Sequence, residues 1–202
     1  MNKFLNHKQG VVLLLLLIAL VFSCSKKPVS TLNKYLEAHN QHQVVKALSF
    51  FADTAVVEII EGWTKQGIQK IRRLEEFDSA TNSHIRIWDV STRHDTVYCR
   101  MEEANDFYKE AGVEKIQAFL RVAYNEDGLI SRLSIRRTPQ SYREIKDALV
   151  PFAQWAAEKR TKEWAKLFED GEFRYGYEGA KGWMALLREW KQWLRDRGND
   201  KS

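Results

Sequence analysis

Apolar and polar residues alternate with period two on both sides of Asn125-Glu126-Asp127-Gly128. Before that turn, Ile116, Ala118, Leu120, Val122 and Tyr124 point to one side of a strand, and Gln117 and Arg121 to the other. After it, Leu129, Leu133 and Ile135 share a face opposite Arg132 and Arg136. With Asp-Gly in the turn, Val113 to Arg137 predicts a β-hairpin with one dry face. A sheet with one dry face needs other elements laid on that side.

The rest of the chain supplies them. Leu32, Tyr35, Leu36, Val44, Ala47, Leu48 and Phe51 fall near one helical stripe, so Leu32 to Phe51 reads as a helix. Ala55 to Ile60 is rich in β-branched residues and reads as a short strand. Ile68, Ile71, Leu74 and Phe77 recur at helical spacing after Gly67. His84 to Val90 alternates as a strand, Ile85 and Ile87 against Arg86 and Trp88. Thr96 to Glu103 alternates again, Val97, Cys99 and Met101 against Tyr98 and Arg100. Beyond Thr138-Pro139 the pattern turns helical. Tyr142 to Arg160 is one helix kinked or split at Pro151, Thr161 to Phe168 a short one, and Ala180 to Leu194 an amphipathic one. Gly171 to Gly179 is an aromatic loop punctuated by glycine. Five of the seven tryptophans lie after residue 150.

The order helix, strand, helix and then a meander of strands resembles the nuclear transport factor 2-like superfamily, which includes ketosteroid isomerases and SnoaL-type polyketide cyclases. The residues that carry the likeness are Leu48-Ser49-Phe50-Phe51-Ala52-Asp53-Thr54-Ala55-Val56-Val57-Glu58, Gly67 opening the second helix, and the turn Asp127-Gly128-Leu129-Ile130 before a long last strand. Thr54 stands where the family commonly has a second acid. The resemblance implies an α+β fold over residues 31–138, a cone-like curved antiparallel sheet packed by N-terminal helices, with a pocket between helices and sheet. Residues 139–202 form a Trp-rich helical extension outside that core.

The N-terminus has a different character. Lys3, His7 and Lys8 precede an unbroken apolar run, Val11 to Phe22, too short to span a bilayer comfortably. Val21-Phe22-Ser23-Cys24 resembles the lipobox of bacterial lipoproteins, with Phe22 bulkier than usual. The resemblance implies a signal peptide over 1–23, lipidation at Cys24 and a tether over 24–30. Two or three acyl chains hold a protein where one holds it only marginally. Ser25 in place of Asp after the cysteine points to the outer membrane of a Gram-negative envelope. Losing Lys3 and Lys8 with the signal lowers the formal charge of +5 by two, to +3. With 27 acids scattered among the bases, no nucleic-acid partner is expected.

Candidate chemistry is sparse. Glu58, Asp89 and Glu103 read as polar residues on the pocket side of strands, where a carboxyl group can act as a base. His39 and His42 are three apart, but no third ligand is evident. They read as part of a solvated turn, and neither a metal nor a cofactor is expected. Cys99 reads as a core residue. On the other sheet face Arg86, Trp88, Tyr98, Arg100, Phe119, Arg121, Arg132 and Arg136 fall together. Such a face suits a homodimer contact, a covering by the C-terminal helices, or a ligand. The favoured reading is a lipid-anchored envelope protein with a non-catalytic binding or assembly domain. One alternative is an isomerase- or cyclase-like enzyme using the pocket. Another is a glycan or peptidoglycan binder using Tyr175, Tyr177 and exposed tryptophans; Arg86, Trp88, Arg100 and Arg121 are the ligand-binding candidates of the sheet face.

Overall fold

The computed structural model describes residues 26–199. Its elements run α1 (Lys26–Asn40), α2 (Val44–Leu48), β1 (Phe51–Ile59), β2 (Thr64–Gln66), α3 (Ile68–Ala80), β3 (His84–Arg93), β4 (Thr96–Ala104), α4 (Asp106–Ala111), β5 (Ile116–Tyr124), β6 (Ile130–Arg137), α5 (Pro139–Lys159), α6 (Thr161–Ala165), β7 (Phe168–Glu169), β8 (Glu172–Phe173) and α7 (Gly176–Asn199). Six strands make one sheet in the order β2-β1-β6-β5-β4-β3, and β7-β8 is a separate miniature hairpin.

The central hairpin forms as its alternation predicts. Leu120 pairs with Ile135 and Val122 with Leu133. Asn125 closes the turn by accepting from the Leu129 amide at 2.8 Å, and Gly128 takes the left-handed φ of +79° that the turn demands. The sheet is mixed rather than wholly antiparallel, because β1 runs parallel to β6. That pairing joins elements far apart in sequence, so no local pattern announces it. Irregular registers on β1, β3 and β5 bend the strands, as extra residues in a ladder do. The sheet therefore curves around the helices on its dry face, in an α+β cone.

The first helix does not run to Phe51. It stops at Asn40, whose side chain donates to the Ile85 carbonyl at 2.9 Å and accepts from the Ile85 amide at 2.8 Å. The asparagine thus continues the ladder at the free edge of β3 and ties the helix end to the sheet. His42 follows with a left-handed φ of +56°, and the chain restarts as α2. Pro151 does not split α5; the helix is continuous through it. Pro139 and a Thr138 side-chain cap begin that helix.

Two apolar clusters result. The first lies between the concave sheet face and helices α1 to α3, with Leu32, Tyr35, Ile71, Val97, Met101, Leu120, Val122 and Ile130 at its centre. The second is built by the extension: Phe152, Trp155, Trp183, Leu187 and Trp190 pack against Phe77 of α3 and Phe107 of α4. Trp155, Trp183 and Trp190 are buried and Trp164 and Trp193 half-buried. Phe173 stacks flat on Trp183, ring centroids 4.1 Å apart. The Trp-rich segment is therefore an interior. It does not form the exposed aromatic platform that a glycan contact there would need, nor does it cover the outer sheet face.

Candidate functional site

The concave side of the cone keeps a cavity of about 330 Å³, at the small end of the range for ligand pockets. Its walls are mostly apolar: Phe51, Val57, Ile59, Leu120, Leu133 and Ile135 from the sheet, and Leu36, Ile71 and Leu74 from the helices. The extension finishes the enclosure. Ile145 and Leu149 of α5, Phe173 of β8 and Tyr175 line the cavity beside Trp63 and Phe107. Tyr175 meets Trp63 edge-on at 5.5 Å. The β7–β8 hairpin, which brings Phe173 to the wall, is held by ion pairs from Lys65 to Glu172 and from Arg73 to Glu169.

The polar end has an origin in helical spacing. On α1, Leu32, Tyr35, Leu36 and His39 repeat at i, i+3, i+4 and i+7. On α3, Ile71, Leu74, Glu75 and Asp78 do the same. Each buried stripe ends in polar groups, and those groups meet. Tyr35 Oη donates to Glu75 Oε1 at 2.9 Å, and His39 Nδ1 lies 3.0 Å from Glu75 Oε2. His39 Nε2 is 3.4 Å from Ser83 Oγ. Ser83 Oγ donates to Glu103 Oε1 at 3.1 Å, and Asn105 Nδ2 donates to the same oxygen at 2.7 Å. Asn105 is also the N-cap of α4, accepting from the Tyr108 amide at 2.8 Å. One side chain therefore sets both the helix start and the carboxylate.

Burial alone would depress the His39 imidazole, but the charge and hydrogen bond of Glu75 outweigh it and lift the group to about 9. His39 is thus an imidazolium at neutral pH, paired to a carboxylate in a dry site. Asp78 lines the cavity, and none of the hydrogen bonds of the described residues involves its carboxyl group. Burial, reinforced by the charge of Glu103, holds that carboxyl well above its usual range; His39 opposes and Glu75 adds to it. Tyr108 and Tyr175 are likewise pushed up, first by burial. The remaining polar liner is Arg137 at the end of β6.

The structure sorts the expected site residues by face. Glu103 lies in the cavity wall. Glu58 does not: it sits on the outer sheet face, accepting from Ser134 Oγ at 2.6 Å and pairing with Arg132 at 2.9 Å. Ser134 and then Arg132 hold it below the usual carboxylate range against the opposing effect of burial. Strand β1 exposes Glu58 because Val57 and Ile59 take the inward positions. Asp89 is also outside the cavity. The register of β3 breaks between Trp88 and Ser91, and Asp89 adopts a φ of +53° there. It turns out to face Arg100 at 3.8 Å. His39, expected in a solvated turn, is buried; only His42 lies at the turn. Cys99 is buried, which pushes its thiol up to about 11. Tyr175 lines the cavity, while Tyr177 is exposed on α7.

Arg86, Trp88, Arg100 and Arg121 lie on the outer face, Arg100 over the Trp88 ring at 5.5 Å. Phe119 is 50% and Tyr98 39% exposed beside them. Sequence reasoning missed Glu75, Asp78, Tyr108 and Arg137. The legible signal was a charged residue in register with apolar ones. Arg137 continues the Leu133/Ile135 face by strict alternation, and Glu75 and Asp78 continue the Ile71/Leu74 stripe.

No protein-family model matches the sequence, and no curated protein is similar to it. Solved structures are similar in fold. SalBIII, described as an epoxide hydrolase/cyclase-like enzyme in pyran ring formation in the polyether salinomycin, aligns with a TM-score of 0.52 at 13% identity over 57% of this chain and 94% of that one. An LEH-like epoxide hydrolase of M. tuberculosis aligns at 0.51 and 10% identity, over 64% and 97%. A computationally designed 17-OHP binder aligns at 0.50 and 12%, over 58% and 95%. At such identities the shared property is the fold, the nuclear transport factor 2-like cone. Enzymes and a designed binder both use it, so the site has to speak for the function.

Proposed function

We propose that this protein is a lipid-anchored module of the cell envelope that encloses a small, mostly apolar molecule in its cone. The observation that supports it is the cavity of about 330 Å³ with apolar walls, a polar end and a wall completed by the extension. An unfilled apolar space in a folded core costs stability, roughly 20–25 cal/mol per Å³ in engineered cases. A resident ligand offsets such a cost by restoring contacts. Ile135→Trp should fill the space from a half-buried wall position. The expected result is saturable binding of 2-acetonaphthone by the native protein in calorimetry and none by Ile135→Trp, with both folded by circular dichroism. Equal binding by the two would remove the cavity from the account.

The anchor rests on the Val21-Phe22-Ser23-Cys24 motif, which lies outside the described residues. Cys24→Ala should leave the mass of the uncleaved chain without that of the acyl groups. An unchanged mass would refute it.

A second reading, acid–base catalysis in the same cavity, is favoured by Asp78. Its carboxyl carries no hydrogen-bond partner among the described residues and is pushed towards the neutral acid by burial. A neutral acid at a cavity wall can donate a proton to a ligand oxygen. Glu103, held by Ser83 and Asn105, is the acceptor on the adjoining wall. Asp78→Asn should then bind ligand as before and abolish turnover. Because the acid form is the working one, activity should fall as pH rises through the raised value. Turnover retained in Asp78→Asn would end this reading.

A further inference from the structure

Arg137 is the last residue of β6, paired with Ala118. Period two places it on the same face as Leu133 and Ile135, so its guanidinium enters the cavity wall that they form. Its Nε is buried without a hydrogen-bond partner, while the rest of its guanidinium meets the Tyr108 hydroxyl. A buried charged donor left unmatched is costly, and an acceptor brought in by a bound molecule is one way to offset that cost. The partners of the neighbouring carboxyl groups explain why no acid inside the fold pairs with it. Glu75 is taken by His39 and Tyr35, and Glu103 by Ser83 and Asn105.

The same inventory limits the charge of what is bound. The wall already holds the carboxylates of Glu75 and Glu103 against the cations of His39 and Arg137. A further anion would leave the enclosed site with a net negative charge that water cannot screen. An uncharged acceptor satisfies the guanidinium without that penalty.

We propose that the cavity takes a neutral molecule with an apolar body of about naphthalene size and one hydrogen-bond-accepting oxygen, and that Arg137 selects for that oxygen. This rests on the cavity being a ligand site and adds its chemistry. Carbonyl, ether and ester oxygens share the required property: each accepts and none carries charge. The apolar body lies against Ile59, Leu120, Leu133 and Ile135, and the oxygen lies at the Arg137 end.

The test uses three probes with one bicyclic body: 2-acetonaphthone, 2-ethylnaphthalene and 2-naphthoate. Binding is measured by calorimetry on the native protein, Arg137→Met and Arg137→Lys. The native protein should bind the ketone at least about ten-fold tighter than the hydrocarbon, the scale of one hydrogen bond to a charged donor, and tighter than the carboxylate. Arg137→Met should bring ketone and hydrocarbon to within about two-fold by weakening the ketone alone; the unchanged hydrocarbon affinity reports an intact cavity. Should Arg137→Met fail to fold, Arg137→Lys decides, because it keeps the charge and removes Nε: it should weaken the ketone several-fold and spare the hydrocarbon. Native selectivity that survives these substitutions overturns the role of Arg137. Tightest binding of 2-naphthoate overturns the neutral class. Absence of binding by all three to the native protein takes down the cavity reading itself, whereas unselective binding takes down this inference alone.

Discussion

His39 gives the sharpest physical prediction. It is 3% exposed and faces Glu75 and Asp78 from α3, Glu103 from β4 and the Tyr35 hydroxyl one turn earlier on α1. Its folded value is about 9 against an ordinary 6.5. The folded state therefore binds the proton more tightly than the unfolded chain. That contribution is fully present below about pH 6.5 and is lost as pH rises through about 9. Two and a half units at 1.36 kcal/mol each amount to about 3 kcal/mol. For a chain of this length that corresponds to roughly 6–12 °C in Tm. The perturbation is His39→Gln, which keeps a polar side chain and removes the titration. Urea unfolding of both proteins at half-unit steps from pH 5.5 to 10 gives the difference between their stabilities, in which groups common to both largely cancel. The native advantage should shrink by about 3 kcal/mol across the window from pH 6.5 to 9. Parallel stability curves, or an advantage that grows with pH, would show that the imidazole is not held as a cation by Glu75.

Two further predictions concern the extension. A Cβ at Gly179 would collide with the Arg174 carbonyl oxygen, which also accepts from Trp183 Nε1 at 3.3 Å. Gly179→Ala should cost about 1–3 kcal/mol of overpacking, read by chemical denaturation; a neutral result would mean that the start of α7 yields freely. The β7–β8 hairpin is fastened by Glu169 and Glu172, both more than half exposed on the glutamate side. Glu169→Gln/Glu172→Gln should speed hydrogen exchange of the hairpin amides roughly three- to ten-fold with little change in Tm; unchanged exchange would mean that Phe173 and Tyr175 alone hold the hairpin.

The sheet and its contents divide cleanly between what local pattern reveals and what it hides. Period two from Ile116 to Tyr124 and from Leu129 to Ile135 specified a hairpin, its register and its dry face, because a one-residue slip would carry every apolar side chain into water. The same alternation put Glu103 on the cavity side. It misplaced Asp89, where a bulge reverses the facing of residues beyond Trp88, and Glu58, where β1 exposes the even-numbered positions. Aromatic richness after residue 150 was visible, but not whether those rings face water. Their partners, Phe77 and Phe107, lie more than forty residues away in sequence.

By itself the sequence determined the α+β class, the order of most elements and the central hairpin, since each follows from hydrophobic period and turn chemistry within a few residues. Only the tertiary structure decided that β1 lies parallel to β6, that the extension walls the cone, and that His39, Glu75, Asp78, Glu103 and Arg137 share one dry chamber. Those groups come from α1, α3, β4 and β6. Their protonation and hydrogen bonding depend on distances and on exclusion of water, and both exist only once the helices have closed over the curved sheet.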